Sequence, residues 1–314
     1  MKLNEFLKIH HESGYSIRSI DGYNFLSRGL INYSFPQLGE IPITNRLVQL
    51  LKWRYLITII KTNSGLKNNY EYIMSTESYD IDDFRKKTRT TIRKSLNSCE
   101  FRKPSLEELL NEGLQINRKT LKIQKRSDKF LTNPVLWENY ISQFYHHNDS
   151  MVMGAFFNGK MIGYAIAYEL EGKHYFHLQH IDRDFATYYP MSGLMYVIVN
   201  KLISKSGKIE ISDGIESFNP MPSLNQFKTY MRFVRVPITR VYVIHPLLIA
   251  VFKPLIYFYV SVLGKRTVHN QWLRQIVTLY QGYRKIPEVI SRQIDAALPE
   301  EQLLTQKVSQ NVIV

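Results

Sequence analysis

Residues 151–214 read MVMGAFFNGK MIGYAIAYEL EGKHYFHLQH IDRDFATYYP MSGLMYVIVN KLISKSGKIE ISDG, and they decide the fold. Three apolar and aromatic runs, 151–157, 161–170 and 174–181, are separated by Asn158-Gly159 and Glu171-Gly172. Such pairs make tight hairpin turns, so the runs read as a three-strand meander. Helical spacing follows over 189–206 and stops at Gly207, after which 209–213 is a short apolar strand. A meander joined through a helix to a further strand predicts a mixed sheet with helices on both faces. Ligands of such sheets sit beyond the strand ends near the switch in connectivity.

Working outward, 99–103 reads as a strand and Pro104-Ser105 opens a helix running to about residue 120. A basic loop over 121–133 leads to a second helix from Asn133-Pro134 to about His146. Downstream, 223–231 is a short helix and 233–244 a long last strand, in which Pro237 marks an edge or bulge. The order over 98–245 is thus β α α β β β α β α β. Upstream, 53–61 and 70–79 read as the two strands of a hairpin. Residues 80–97 then read as a helix carrying Ile81, Phe84, Thr88, Ile92 and Leu96 on one face. Residues 1–50 read as irregular, with turns at Ser13-Gly14, Asp21-Gly22 and Phe35-Pro36. Residues 246–263 are apolar on all sides of a helix, broken only by Lys253 and Pro254, with Lys265-Arg266 following. Helices at 271–283 and 287–297 and a frayed end complete the chain.

The chain has 314 residues, 44% of them hydrophobic, enough for one large or two smaller cores. Lys and Arg number 41 against 27 Asp and Glu, a net charge of +14, which calls for an anionic partner. Residues 85–129 hold 14 of these cations against 5 acids, well over half of the excess. A solvated helix face accounts for such a run as readily as a phosphorylated donor, tRNA or anionic lipid does. Few aromatics are interleaved with it, which disfavours a nucleic-acid stacking platform, and DNA is not an expected partner. The single Cys99 excludes an internal disulfide and a cysteine zinc site. No signal peptide is readable at residues 1–16, and a reduced, cytoplasmic setting is expected.

Three segments resemble the GCN5-related N-acyltransferase (GNAT) fold, in its Fem-type and BioF2-like branch. FRKKTRTTIRK (84–94) resembles that branch's basic R-x-x-I-R-K helix. Tyr188-Tyr189-Pro190, the helix, Gly207 and the strand into Asp213-Gly214 resemble its YP…G…DxG stretch. Leu224-Asn225-Gln226-Phe227-Lys228 through Phe233 resembles L-x-x-F-K-x-x-x-G-F. The resemblance implies transfer of an acyl or aminoacyl group to an amine. Two positions depart from the pattern. GNAT enzymes grip the coenzyme A pyrophosphate with [QR]-x-x-G-x-[GA], whereas 183–188 is RDFATY, with no glycine. Arg232 stands where the Gly before Phe233 is expected, so that turn is expected to be built differently.

Acyl transfer to an amine needs a proton acceptor and a donor for the tetrahedral oxyanion. Lys228, in the FK signature, is the first candidate cation, against a solvated helix lysine. Asp213 and Glu216 end the strand where the resemblance puts an acceptor amine, against capping roles in an Asp-Gly turn. His177 and His180 lie on the third meander strand; a bulge there would bring a second side chain round, and one histidine, His180, would act as base. Buried or edge histidines are the plainer reading. Arg183, Tyr188 and Tyr189, with Phe227, would hold the donor, Arg183 on phosphate and the tyrosines by stacking or hydrogen bonding. No third ligand has metal spacing, so no metal is expected.

The expected architecture is therefore an α/β, GNAT-like mixed sheet with an N-terminal β-hairpin extension and C-terminal helices. Its parts would be an extension over 1–97, an acyltransferase domain over 98–245 and a helical appendage over 246–314. The expected function is transfer of an acyl group, acetyl first, from acetyl-CoA or another acyl-CoA to a primary amine of a small or sugar-linked acceptor. Aminoacyl-tRNA is the alternative donor. A non-catalytic membrane-associated binding module is a separate alternative. Residues 246–263 read first as buried against the domain, next as lying on an anionic membrane surface, and last as crossing it.

Overall fold

A computed structural model describes residues 1–217, 221–263 and 271–297. In chain order the first elements are α1 (Leu3–Glu12), β1 (Ile17–Ile20), β2 (Tyr23–Arg28), β3 (Ile31–Ser34), α2 (Asn45–Arg54), β4 (Ile57–Thr62) and β5 (Asn69–Thr76). A 3-10 turn at Ile81–Asp83 precedes α3 (Lys86–Ser98), β6 (Glu100–Arg102) and α4 (Leu106–Glu108). A π-helical turn, Leu109–Gly113, leads into α5 (Leu114–Ile123), α6 (Lys129–Thr132) and α7 (Pro134–His146). The meander is β7 (Ser150–Phe157), β8 (Lys160–Leu170) and β9 (Lys173–Ile181). Then come α8 (Pro190–Ser206), β10 (Ile209–Ile215), α9 (Pro222–Tyr230), β11 (Val234–Ile244), α10 (Pro246–Leu263), α11 (Gln271–Arg284) and α12 (Ile286–Ala297).

The chain divides into two compact units. The first comprises 1–15, 71–216 and 221–236. Its strands run β5-β10-β9-β8-β7-β6, antiparallel except for β9 beside β10. The meander turns are as the sequence dictates. Asn158 and Gly159 (φ 50° and 77°), like Glu171 and Gly172 (φ 51° and 81°), place both turn residues in left-handed backbone, the geometry that matches strand twist. Helix α7 starts where Asn133 accepts from the Val135 and Leu136 amides and Pro134 fills the first turn. One face of this sheet packs on α3 and α8 through Ile92, Leu194, Met195, Ile198 and Val199 against Ala165, Ala167 and Phe176. The other face meets α1 and α7, where Phe6 and Phe144 lie on Tyr168 and Trp137 lies against Tyr164.

The second unit comprises, among the described residues, 16–70, 217, 237–263 and 271–297. Its strands run β1-β2-β3-β4-β11, with β3 and β4 parallel. Ile60, Val241 and Val243 pack on one side with Leu47 and Leu51 of α2 and Val289 of α12. Ile57, Ile59, Tyr242 and Ile244 pack on the other with Leu248, Ile249 and Phe252 of α10 and Leu279 of α11.

Several expectations change. Residues 1–50 are ordered: α1 buries Phe6 and Ile9, and the Asp21-Gly22 turn joins β1 to β2, so the N-terminal hairpin lies at 17–28. Residues 57–62 and 69–76 are not hairpin partners. β4 pairs with β3 and β11, and β5 pairs with β10. Trp53 and Arg54 end α2 rather than opening the strand. The expected helix over 80–97 starts at Lys86, and the 121–133 loop contains α6. Arg232 takes left-handed backbone (φ 68°), a region that glycine enters far more readily. Its guanidinium pairs with Asp83 at 2.8 Å. Among the described residues no helix is long and apolar enough to cross a membrane. Lys265-Arg266 and the expected frayed end lie outside the described residues.

Candidate functional site

Strands β9 and β10 pair in parallel only at Ile211↔His174 and Ser212↔Tyr175. Each carries an extra residue toward its other neighbour. In β9, Phe176 and Leu178 face consecutive β8 residues, which leaves His177 as the bulge. In β10, Ser212 and Ile215 face Ile73 and Glu71, so one of Asp213 and Gly214 is extra. Bulges bend strands and re-aim side chains, and here two of them coincide with the point where main-chain pairing stops.

Past that point the strands are bridged by side chains. Gln179 of β9 donates to Oδ1 of the buried Asp213. Lys228 of α9 lies 3.4 Å from Asp213 Oδ2 and also donates to the Asp213 carbonyl. Its ammonium stands 4.9 Å over the Tyr72 ring, and the residue is only 8% exposed. Burial pushes the Asp213 carboxyl up, while Lys228 and the Gln179 bond hold it down. The bend is tied at its base: Ser212 Oγ donates to the buried Glu71 at 2.6 Å and accepts from the Gly214 amide at 3.2 Å. Gly214 has a φ of 81° that a side chain would resist.

The sequence candidates separate into three groups. Asp213 and Lys228 are in contact with each other. Glu216 is nearby in sequence but held by Asn225 at 2.6 Å and Arg235 at 2.7 Å. His180 is next to Gln179 on β9 and therefore points to the opposite face of the sheet. There its Nδ1 is 2.6 Å from Asn117 Oδ1, and Tyr164 donates to the same oxygen. Burial, helped by Arg126, lowers the His180 ring to about 4, so it is neutral at ordinary pH. The bulge does bring a second histidine to that face: His177 contacts the Tyr140 hydroxyl and stacks on Phe144 at 4.7 Å. His174 is buried and also lowered, first by desolvation.

Arg183, Tyr188 and Tyr189 belong to the β9–α8 connection. Asp182 caps a 3-10 turn over Arg183–Tyr188 by accepting from the Asp184 amide, and Lys119 binds Asp182 at 2.8 Å and Asp184 at 2.9 Å. Ala186 and Tyr188 stand at the two positions where the pattern has glycine, and the Asp182 and Asp184 carboxylates are both taken up by Lys119. Arg183 is exposed, and Tyr188 stacks on Phe157 at 4.2 Å. Tyr189 is exposed and left-handed (φ 55°), and its carbonyl accepts from Ser95 Oγ at 2.9 Å. Phe227 is half-buried against the α8-side core.

The α3 cations also divide. Arg89 and Arg93 both bind Asp82 at 3.1 Å. Lys86, Lys87, Thr90, Thr91 and Lys94 instead line an open hollow with Tyr189, and the Lys94 ammonium is 5.5 Å from the tyrosine ring. Among the described residues no acidic, histidine or cysteine cluster could hold a metal ion. Sequence reasoning missed Gln179, Tyr72 and the Glu71–Ser212 pair. Gln179 sits inside HLQH between two titratable histidines and carries no charge of its own, and β5 has no motif that names its neighbour.

The sequence matches no protein-family model. It matches no curated protein. Solved structures do resemble it. FemX is 10% identical, with a TM-score of 0.52 over 82% of this chain and 93% of FemX. L-PGS from Bacillus licheniformis is 15% identical, with a TM-score of 0.49 over 84% and 97% of the two chains. A tandem GNAT protein from the clavulanic acid biosynthesis pathway is 9% identical, with a TM-score of 0.43 over 77% and 94%. The parted parallel strands, the meander and the crossover helix thus form an α/β mixed-sheet fold like that of FemX.

Proposed function

We propose that the chain is an N-acyltransferase that moves an acyl group, acetyl first, from acyl-coenzyme A to a primary amine of a small or sugar-linked acceptor. The observation that carries this reading is the buried Asp213–Lys228 pair at the point where β9 and β10 part. The amine nitrogen attacks the acyl carbon, and the carbonyl oxygen takes the electron pair. Lysine has three N–H donors; two face Asp213, and the third serves the oxyanion. Collapse forms the amide and expels the carrier's thiolate, while the amine proton passes to the Asp213 carboxylate. Glu216 is taken up by Asn225 and Arg235, and the neutral His180 on the far face takes no part.

A second reading changes the donor to aminoacyl-tRNA. It is favoured by the 183–188 turn, which has Ala186 and Tyr188 in place of the two glycines of the coenzyme A pattern, and by the hollow of Lys86, Lys87 and Lys94. Binding of tRNA would weaken steeply with salt, acyl-CoA binding less so.

Incubation with labelled acetyl-CoA, longer acyl-CoAs and aminoacyl-tRNA, each with a panel of primary amines, tests the proposal. One donor class should label an amine, and Lys228→Met should lower turnover by about 100-fold or more. A folded Lys228→Met chain with full turnover, or no transfer from any donor, contradicts it.

A further inference from the structure

Helix α10 is apolar on the side that has no partner among the described residues. A helix advances about 100° per residue. Leu248, Ile249 and Phe252 therefore share one side, and they pack on the sheet with Ile57, Ile59 and Tyr242. Leu247, Ala250, Val251, Pro254 and Leu255 share the other, and all five are exposed, Leu247 by 71% and Val251 by 53%. Lys253 lies at the border of this stripe. Trp53, at the end of α2, extends it: its ring is 64% exposed and meets His245, whose Nδ1 accepts from the Leu247 amide at the start of α10. Lys52 stands 5.5 Å over that ring, and Arg54 beside it is exposed.

We infer that this face, Trp53 with Leu247, Val251 and Leu255, docks the protein on an anionic lipid surface. An apolar stripe of this kind rarely stays in water without an occupant. An indole at the edge of an apolar helix, with cations around it, suits the headgroup boundary. Charge selects the occupant. Residues 16–70 and 237–297 carry fifteen Lys and Arg against four Asp and Glu, so a second copy would bring like charge to like, whereas an acidic leaflet neutralises it. Lys253 can lay its stem along the stripe and raise its ammonium to the headgroups.

The test is sedimentation of the full chain with vesicles containing phosphatidylglycerol, and with phosphatidylcholine alone. Wild type should sediment with the anionic vesicles and be released by salt. Leu247→Glu/Val251→Glu, at exposed positions, should keep its circular dichroism and bind about 10-fold more weakly or worse. Brominated lipid should quench the part of the emission that Trp53→Phe removes. Failure of wild type to sediment with phosphatidylglycerol vesicles overturns the proposal, as does equal sedimentation of the double variant. So does light scattering that shows a wild-type dimer which the double variant dissolves, since the face would then join two copies. None of these outcomes depends on acyl transfer.

Discussion

Lys228 and Asp213 are each buried, and each is the other's counter-charge. Removing one member of such a pair leaves the other uncompensated, at about 3–5 kcal/mol. Lys228→Met should therefore lower unfolding free energy in urea by that order, and Asp213→Asn/Lys228→Met should recover part of it. Turnover should stay low in both, which separates the chemical role from the structural one. His180 supplies a pH prediction. Its folded-state value of about 4 lies below the ordinary 6.5, so the unfolded chain binds the extra proton between the two. Its contribution to stability is complete above 6.5 and declines as pH falls toward 4. His180→Gln should flatten that part of a stability–pH curve; an unchanged slope would show that other groups set it. At this scale the sequence exposed the charged residues at a strand end and a short helix. It did not expose their pairing, which joins two separate elements, β10 and α9, nor Gln179, whose role comes from position rather than charge.

Elements were readable where local chemistry decides them. Asn158-Gly159, Glu171-Gly172, Asn133-Pro134 and Gly207 each impose a backbone geometry, and β7, β8, β9, α7 and α8 lie within a residue or two of expectation. Distant partners decided the rest. A polar connection over 63–68 looks the same whether its strands pair with each other or with β11 and β10. The strands before residue 50 are four to six residues long, too short for periodicity to register. The close approach of α3 to α8 includes one position that has no readable motif, Gly193. A Cβ at Gly193 would overlap the Phe101 ring and the Ser95 hydroxyl, the group that binds the Tyr189 carbonyl. Gly193→Ala should cost about 1–3 kcal/mol in a urea or thermal melt. It should also loosen the Tyr189 hollow; a variant as stable as wild type would mean that α3 can shift freely.

Among the described residues, positive charge gathers at the α3 hollow and around α10, among other places. They predict separable behaviour. Lys86→Gln/Lys87→Gln/Lys94→Gln should reduce affinity for the acyl donor and leave vesicle binding intact, and Leu247→Glu/Val251→Glu on α10 should do the opposite. The most direct test of the central claim is calorimetric titration of the full chain with acetyl-CoA, longer acyl-CoAs and aminoacyl-tRNA. Saturable one-to-one binding of one of these carriers, weakened at least about tenfold by the triple lysine substitution, is the predicted result. Absence of binding by every carrier to the folded protein, or binding indifferent to those lysines, would contradict it.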